Sequence, residues 1–265
     1  MTDSWLRWNR LLLILFGALT IVFLIGPSLV IVPMGFSSAS ILSFPPPGFS
    51  LQWYEKMLTS PAWTSGFVNS FMVAVLTAIL ATVLGTLAAL ALSRGRFPGK
   101  SIANVLILSP LVVPVIVIAF GMFSLFVRWK ITGSVVGLTV AHTALAVPFV
   151  VISVSASLRT MDRNLEMAAA NLGANPARTF RYITLPLIMP GVFAGALFAF
   201  LSSWDEVVVA IFLTTTKFRT LPTVMWEQVR QVVDPTVASV ATVLLVVTTV
   251  VLTLALVVRR QAPVR

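Results

Sequence analysis

Six long apolar runs constrain what this chain can fold into. They cover residues 11–33, 67–92, 102–127, 135–157, 187–213 and 236–258. A helix needs about 20 apolar residues to cross the roughly 30 Å hydrocarbon core of a bilayer, and each run meets that length. Strands of a membrane barrel would instead alternate apolar and polar residues over about ten positions. The runs therefore predict an all-α membrane protein with six transmembrane helices, in a single domain covering residues 1–265.

The composition agrees with a membrane location. Of the 265 residues, 58% are hydrophobic and only 10% are charged, whereas about one quarter of the residues in a soluble domain are charged. The first run follows Arg7 and Arg10 and could begin a secretory signal, but it is longer than a signal core and no clear cleavage site follows it. We interpret it as a retained helix, with a cleaved signal as the alternative.

Lys and Arg residues are distributed unevenly between the connecting segments. With the N-terminus in the cytoplasm, the inside segments carry twelve of these residues, ending with Arg265, and the outside segments carry six. This bias predicts that both termini are cytoplasmic. The net charge of +10 is then explained by topology and by contact with anionic lipid headgroups, so no nucleic-acid partner is needed.

Patterns for enzymatic chemistry or metal binding are absent from the sequence. The stretch GRFPGKS looks like a phosphate-binding loop, but Gly95 and Gly99 enclose three residues where that motif needs four. His142 is the only histidine and there is no cysteine, so neither a metal-binding cluster nor thiol chemistry is expected. We expect His142 to be a packed, hydrogen-bonded side chain between helices, and we expect no cofactor.

Prolines fall inside two of the predicted spans. Pro110 and Pro114 lie in the third run and Pro148 in the fourth. Membrane helices tolerate proline where neighbouring groups satisfy the freed carbonyls, and they commonly bend there. We therefore expect bends at these positions.

Two carboxylates interrupt the fifth run in the stretch LSSWDEVVVAIF. A carboxylate near the bilayer centre costs roughly 2.5 to 3.5 kcal/mol on insertion scales, so Asp205 and Glu206 should face protein or water. If the helix continues, its consecutive residues point about 100° apart, and one acid would line a pathway while the other meets a neighbouring helix. With Trp204 as a possible cation–π surface, the three residues are candidates for binding a cationic solute. The alternative is a helix that ends near Ser203, with both acids in wet headgroups.

The inside loop at residues 158–186 is the most specific segment. Gly173 can end a first short helix in the left-handed conformation. Asn175 can then cap a second helix that has Pro176 at its first position, and Pro186 is expected to close it before the membrane. Two short helices at a sharp angle, outside the bilayer, are predicted.

The first of these helices carries a small apolar surface. Asp162 can cap it, and Glu166 in its first turn is favourable at the positive end of the helix dipole. The surface formed by Met167, Ala168, Ala169 and Ala170 suits docking into a groove of another protein. An amphipathic loop that rests on lipid is the alternative.

This loop resembles the EAA loop of permease subunits of bacterial ABC importers. The family pattern is Glu-Ala-Ala, three residues, Gly, nine residues, Ile, one residue, Leu-Pro. The positions that match are Ala168, Ala169, Gly173, Ile183, Leu185 and Pro186. Met167 stands where Glu is expected and Glu166 lies one residue earlier. In this family the loop is the coupling helix in a cleft of the ATP-hydrolysing subunit, so the resemblance implies that this segment contacts an ATPase.

The stretch SWDEVVVAIFL, with TLPTVMWEQVRQVVDPTVASVAT after it, is similar to the second permease subunit of importers for spermidine and putrescine. The resemblance begins at residue 69 and extends to the C-terminus, and it implies a type I ABC importer permease in the bacterial cytoplasmic (inner) membrane. It also implies a second permease subunit, identical or homologous, two ATP-binding ABC subunits and an external solute-binding protein. The resemblance further implies that the chain is a transport subunit and that it is not itself an enzyme.

Other classes of protein remain as alternatives. The chain could be an ABC importer permease for another small solute. A self-sufficient secondary transporter would normally show an internal repeat and more spans. A channel or a membrane scaffold would not need the two-helix inside loop.

Overall fold

A computed structural model of the chain describes residues 2–231 and 234–261. Twelve α-helices occupy these residues: α1 Thr2–Gly35, α2 Gln52–Thr59, α3 Pro61–Arg94, α4 Lys100–Leu108, α5 Val115–Trp129, α6 Val135–Thr160, α7 Asn164–Asn171, α8 Pro176–Thr179, α9 Leu185–Trp204, α10 Val208–Leu213, α11 Leu221–Gln231 and α12 Thr236–Gln261. The described part of the chain has two isolated β-bridges and no β-strand, so the all-α prediction is confirmed. Arg265, predicted at the cytoplasmic end, lies outside the described residues.

Five helical segments in the described residues are long and apolar enough to cross a membrane. They are Leu12–Gly35, Pro61–Arg94, Val135–Thr160, Pro176–Trp204 and Thr236–Thr253. A sixth candidate is the bent pair made by α4 and α5. The count agrees with the six predicted spans when this pair is taken as one span.

The predicted third span, 102–127, is wrong as a continuous helix. α4, with the 3-10 turn that follows it, is inclined at 102° to α5. Pro110 lies in the 3-10 turn, and Pro114 has extended backbone just before α5 begins. Proline cannot donate a helical hydrogen bond and disfavours helical backbone in the residue before it. The bend expected from these prolines is therefore confirmed, whereas α6 continues through Pro148 as one helix.

The fifth predicted span, 187–213, is wrong at both ends. The π-helical turn Phe180–Thr184 joins α8 to α9, so one helical segment runs through Pro176–Trp204. Pro186 has no N–H and its ring would clash with the carbonyl four residues earlier in a regular α-helix. The wider turn, in which Leu185 N–H donates to Phe180 O, relieves that conflict at the start of α9. Pro186 therefore does not close a separate second helix.

Two compact units divide the chain. One consists of Met1–Pro61 and Glu227–Val250. Inside this unit the buried Ser239 hydroxyl, in α12, donates to Gly35 O, the last residue of α1, at 2.8 Å. This hydrogen bond satisfies a carbonyl that the end of α1 would otherwise leave without an intrahelical partner.

The same unit contains an ion pair between α2 and the start of α12. Lys56 Nζ donates to Asp234 Oδ2 at 2.6 Å, and Asp234 Oδ1 accepts the N–H of Thr236 at 2.9 Å. Burial of the Asp234 carboxyl opposes its ionisation, but the hydrogen bonds from Lys56 and Thr236 and the Lys56 charge outweigh burial and hold its pKa below the usual value. Asp234 thus caps α12 and pairs with α2 at once.

The second unit consists of Ala62–Trp226 and Val251–Arg265, and its core is formed where α6 packs against α3 and α9. The buried Val150 of α6 fills the space beside two glycines. A Cβ at Gly85 would lie 2.6 Å from Val150 Cβ, and a Cβ at Gly195 would lie 2.9 Å from Val150 Cα. Membrane helices pack through small residues that let backbones approach closely, and these glycines permit that approach.

Candidate functional site

The short helix α7, in the loop after α6, begins and ends as the sequence predicts. Asp162 Oδ1 accepts the N–H of Asn164 at 2.9 Å where α7 begins. At the other end Gly173 has a φ of +85°. Gly173 N–H donates to Ala170 O and Ala174 N–H donates to Ala169 O, both at 3.0 Å. These two bonds form a Schellman motif, which needs a left-handed residue and favours glycine.

The start of α8 is also confirmed. Asn175 Oδ1 accepts the N–H of Arg178 at 2.8 Å, and Pro176 is the first helical residue. Ile183, Leu185 and Pro186 lie beyond α8, in the π-turn and the first turn of α9. The residues that match the EAA pattern are therefore divided between α7 with its cap and the beginning of the membrane helix.

The Glu166 side chain contacts other segments of the same chain. Its Oε2 lies 3.2 Å from Arg94 Nη2 at the end of α3, and its Oε1 accepts a hydrogen bond of 2.8 Å from the buried Thr184 hydroxyl. Met167, at the position where the family has Glu, is 57% exposed. The structure thus separates the two residues: Glu166 fixes α7 to neighbouring helices, and Met167 faces outward.

An exposed apolar surface lies on α7 and its C-cap. It comprises Met167, Ala168, Ala170 and Leu172, and we call it the α7 face. Leu172 is 89% exposed, the most of any described large hydrophobic side chain. Ala169, predicted to belong to this surface, is half-buried. Sequence reasoning missed Leu172, although its position directly before the left-handed Gly173 indicates a side chain outside the regular helix.

The acid pair, Asp205 and Glu206, lies at a break in the helix. α9 ends at Trp204 and α10 begins at Val208. The prediction that the two acids occupy a continuous helix is therefore wrong. The alternative, a helix that ends near Ser203, gives the correct position of the helix end.

Glu206 accounts for the break. Its Oε1 accepts the N–H groups of Val208 and Val209 at 3.0 and 3.1 Å, and its Oε2 accepts the N–H of Ala210 at 3.1 Å. These N–H groups lack intrahelical partners at the start of α10, and a carboxylate at that position satisfies them and complements the helix dipole. The Glu206 side chain is 10% exposed, so protein surrounds it.

A buried polar cluster adjoins Glu206. His142 of α6 places its Nδ1 2.7 Å from Ser203 Oγ, which confirms the prediction of a packed, hydrogen-bonded histidine. His142 Nε2 lies 3.6 Å from Glu206 Oε2, which is longer than a hydrogen bond. Sequence reasoning treated His142 and the acid pair separately, because nothing in the sequence indicates that α6 and the end of α9 are neighbours.

The remaining two candidate residues differ in accessibility. Asp205 is exposed. Trp204 is 2% exposed, stacked on Phe200 at 5.8 Å and edge-on to Phe67 at 5.5 Å. Its ring therefore packs against other aromatic rings, and of Trp204 and the acid pair only Asp205 is an exposed residue. No group of three His, Cys, Asp or Glu side chains within residues 2–231 and 234–261 is arranged to hold a metal ion.

Comparison with known protein families gives a match over most of the chain. Residues 81–262 match the family described as binding-protein-dependent transport system inner membrane component. This matched region contains the α7 face, the acid pair and five of the six segments that could cross a membrane, at least in part.

Relatives of the chain include two polyamine permeases of Escherichia coli (strain K12). The putrescine transport system permease protein PotI is 33% identical over 243 residues, covering 89% of this chain and 85% of the relative. The spermidine/putrescine transport system permease protein PotC is 34% identical over 203 residues, covering 77% of each chain. A trehalose transport system permease protein, SugB of Mycobacterium tuberculosis, is 29% identical over 62% of this chain and 60% of the relative.

Solved structures share the fold. A chain of a bacterial ABC transporter that imports the acidic polysaccharide alginate superposes with a TM-score of 0.73 at 16% identity, over 99% of each chain. The predicted permease fold of ABC importers is therefore confirmed. The family match and the two polyamine relatives agree with that fold. The chain accordingly belongs to the family of inner membrane components of binding-protein-dependent transport systems.

Proposed function

We propose that this chain forms part of the translocation pathway of an ATP-driven importer for a small organic polycation such as putrescine or spermidine. The observation that carries the proposal is the similarity to permeases named for these polyamines, which extends over 77 to 89% of the chain. The similarity to the trehalose permease covers less of the chain and is weaker. Another small solute is therefore the competing assignment.

Asp205 supports a cationic solute. Asp205 is an exposed residue directly after the end of α9, and its negative charge attracts an ammonium group. Glu206 has a different task in this proposal, because its two oxygens accept three backbone N–H groups of α10. We assign Asp205 to the solute pathway and Glu206 to the shape of the segment that presents it.

The α7 face supports coupling to an ATPase. Met167 and Leu172 are apolar and exposed, and an apolar helical surface suits a groove on a partner protein. The Arg94–Glu166 ion pair and the Gly173 cap fix this face relative to α3 and α8. Under this proposal ATP is hydrolysed in the partner, and the α7 face transmits the resulting movement.

The proposed assembly has further members. It contains a second permease subunit, identical or homologous to this one, two ATP-binding subunits and an external solute-binding protein, and both termini of this chain are cytoplasmic. A solved alginate transporter in complex with its solute-bound periplasmic protein has the same fold over 96% of this chain, with a TM-score of 0.72. That likeness supports the architecture of the proposed assembly.

Uptake by the purified complex in liposomes tests the proposal. Asp205→Asn should lower putrescine uptake by about tenfold, equivalent to about 1.4 kcal/mol, at equal membrane abundance. Glu206→Gln keeps an acceptor oxygen but loses the charge, so it should lower uptake together with stability. Glu55→Gln is the control, because it removes the same charge from an exposed residue of α2 that belongs to neither the acid pair nor the α7 face.

The competing solute is tested in the same assay. If unlabelled putrescine and spermidine fail to compete while a neutral disaccharide is taken up, the polyamine assignment is wrong and the importer assignment stands. If no ATPase copurifies and uptake proceeds without ATP, the importer assignment itself is wrong.

A further inference from the structure

A basic cavity opens at the loop-side ends of α3, α4 and α6. Its volume is about 760 Å³. Four cationic side chains line it, together with serine, asparagine and apolar side chains: Arg94, Lys100, Arg159 and Arg163. No carboxylate is among these lining residues. The cavity is thus positively charged and carries many hydrogen-bond donors.

Most of this charge is uncompensated within the protein. Arg94 pairs with Glu166, but no carboxylate of the described chain forms a salt bridge with Lys100, Arg159 or Arg163. Lys100 Nζ donates to Gly95 O at 3.1 Å, which leaves its charge in place. Within the described residues the buried Arg94 Nε also lacks a hydrogen-bond partner. Several like charges held together are unfavourable unless an anion joins them.

The start of α4 adds donors on the same side. Lys100 and Ser101, in its first turn, line the cavity. The residue before them, Gly99, has a φ of +79° and no side chain to cap the helix. Free N–H groups and the positive end of the helix dipole at this point favour a negatively charged ligand.

The position of the cavity indicates the kind of anion. α3 and α6 are both long and apolar enough to span a membrane, and the cavity lies at the ends from which they enter the loops. Leu92, Leu158 and Met161 add an apolar lining. Basic pockets at the loop ends of membrane helices are suited to lipid headgroups, whose phosphate meets the cations while the chains remain with the helices.

We propose that this cavity binds the phosphodiester headgroup of an anionic phospholipid. Lys100 and Arg159 contact the phosphate, and the partly exposed Met161 packs against the first carbons of an acyl chain. The site is independent of the solute that the chain transports and of the acid pair at the far end of α9.

The test uses the full chain, with any subunits that copurify, in a mild detergent. Native mass spectrometry measures retention of dioleoylphosphatidylglycerol and of zwitterionic dioleoylphosphatidylcholine. The double variant Lys100→Ala/Arg159→Ala should retain about tenfold less phosphatidylglycerol, with little change for phosphatidylcholine. Arg96→Ala/Arg178→Ala is the matched control, because it removes the same charge from exposed residues that do not line the cavity.

Further measurements distinguish a bound lipid from free phosphate, and a loss of charge from a folding defect. Lys100→Arg/Arg159→Lys keeps the charges and should retain the lipid, which shows that loss in the alanine variant is electrostatic. Millimolar inorganic phosphate should leave the bound phosphatidylglycerol in place. Displacement of the lipid by phosphate, or equal loss of lipid in the Arg96/Arg178 control, would overturn the proposal.

Discussion

Arg94 Nη2, in the last residue of α3, lies 3.2 Å from Glu166 Oε2 in the first turn of α7. The ion pair connects the end of a membrane-length helix to the short helix that carries the α7 face. The other oxygen of Glu166 accepts a hydrogen bond from Thr184, so contacts within the chain fix the orientation of this carboxylate.

The Arg94–Glu166 pair should contribute modestly to stability. Both side chains are 24% exposed, so solvent screens the pair, and we expect a coupling energy of about 0.5 to 1 kcal/mol. The measurement is a double-mutant cycle of Arg94→Gln and Glu166→Gln, scored by denaturant unfolding in detergent. Glu166→Gln can still accept the Thr184 hydroxyl, so the cycle isolates the charge. A coupling energy of zero would show that the pair does not hold α7.

Gly173 should be required for coupling. A β-branched residue at its φ of +85° is strained by on the order of 1 to 3 kcal/mol. In the assembled complex, Gly173→Val should lower transport and solute-stimulated ATP hydrolysis together while the chain still inserts into the membrane.

Asparagine provides the control for this substitution. It adopts left-handed backbone more readily than valine does, so Gly173→Asn should recover much of the activity. Wild-type rates in Gly173→Val would show that this segment does not transmit the ATPase cycle.

Gly195 should be intolerant of side chains. A Cβ there would come 2.9 Å from the Val150 backbone, and overpacking of this kind typically costs about 1 to 3 kcal/mol. Gly195→Val should therefore lower the thermal midpoint in detergent. Gly121→Val is the matched control, since a Cβ at Gly121 meets nothing within 4 Å. Equal losses in the two variants would point to helix propensity instead of packing.

Asp234 should give stability that depends on pH. Its folded-state pKa lies below the ordinary value of 3.8, so its ionised form adds stability above that pH, and the contribution is lost as the pH falls through the folded pKa. Asparagine can replace aspartate as the cap of α12 but cannot pair with Lys56. The thermal midpoint of Asp234→Asn should thus fall below wild type at pH 7, and the difference should shrink below about pH 4. A difference that is constant with pH would exclude the ion pair as its cause.

The uneven distribution of Lys and Arg predicts that both termini are cytoplasmic. Reporter fusions after Arg96 and after Arg260 should behave as cytoplasmic, and fusions near Ser60 and Lys217 as external. A cytoplasmic signal from the Ser60 fusion would contradict the orientation.

Local patterns predicted local features well. The lengths of the apolar runs indicated the helical class, and the caps at Asp162, Gly173 and Asn175 depend on neighbouring residues alone. Proline was read correctly where it breaks a helix, at Pro114, and wrongly at Pro186, where a π-turn accommodates it.

Features that depend on tertiary contacts could not be predicted. The orientation of Glu166 depends on Arg94, which lies 72 positions earlier in the chain and belongs to another helix. The break after Trp204 depends on Glu206 folding back onto the following N–H groups within a polar cluster that also contains His142. An apolar run predicts burial, but it does not indicate where a side chain accepts a backbone N–H in place of a helical carbonyl.

The π-turn before α9 has a mechanical consequence. It makes Pro176–Trp204 a continuous helical rod of 29 residues, about 43 Å long at 1.5 Å per residue. One end of the rod begins two residues after Ala174, and the other delivers Asp205. A tilt of about 10° around its midpoint would displace each end by about 4 Å in opposite directions. The rod can thus act as a lever. The displacement at Asp205 depends on the point along the rod at which contacts with neighbouring helices fix the pivot.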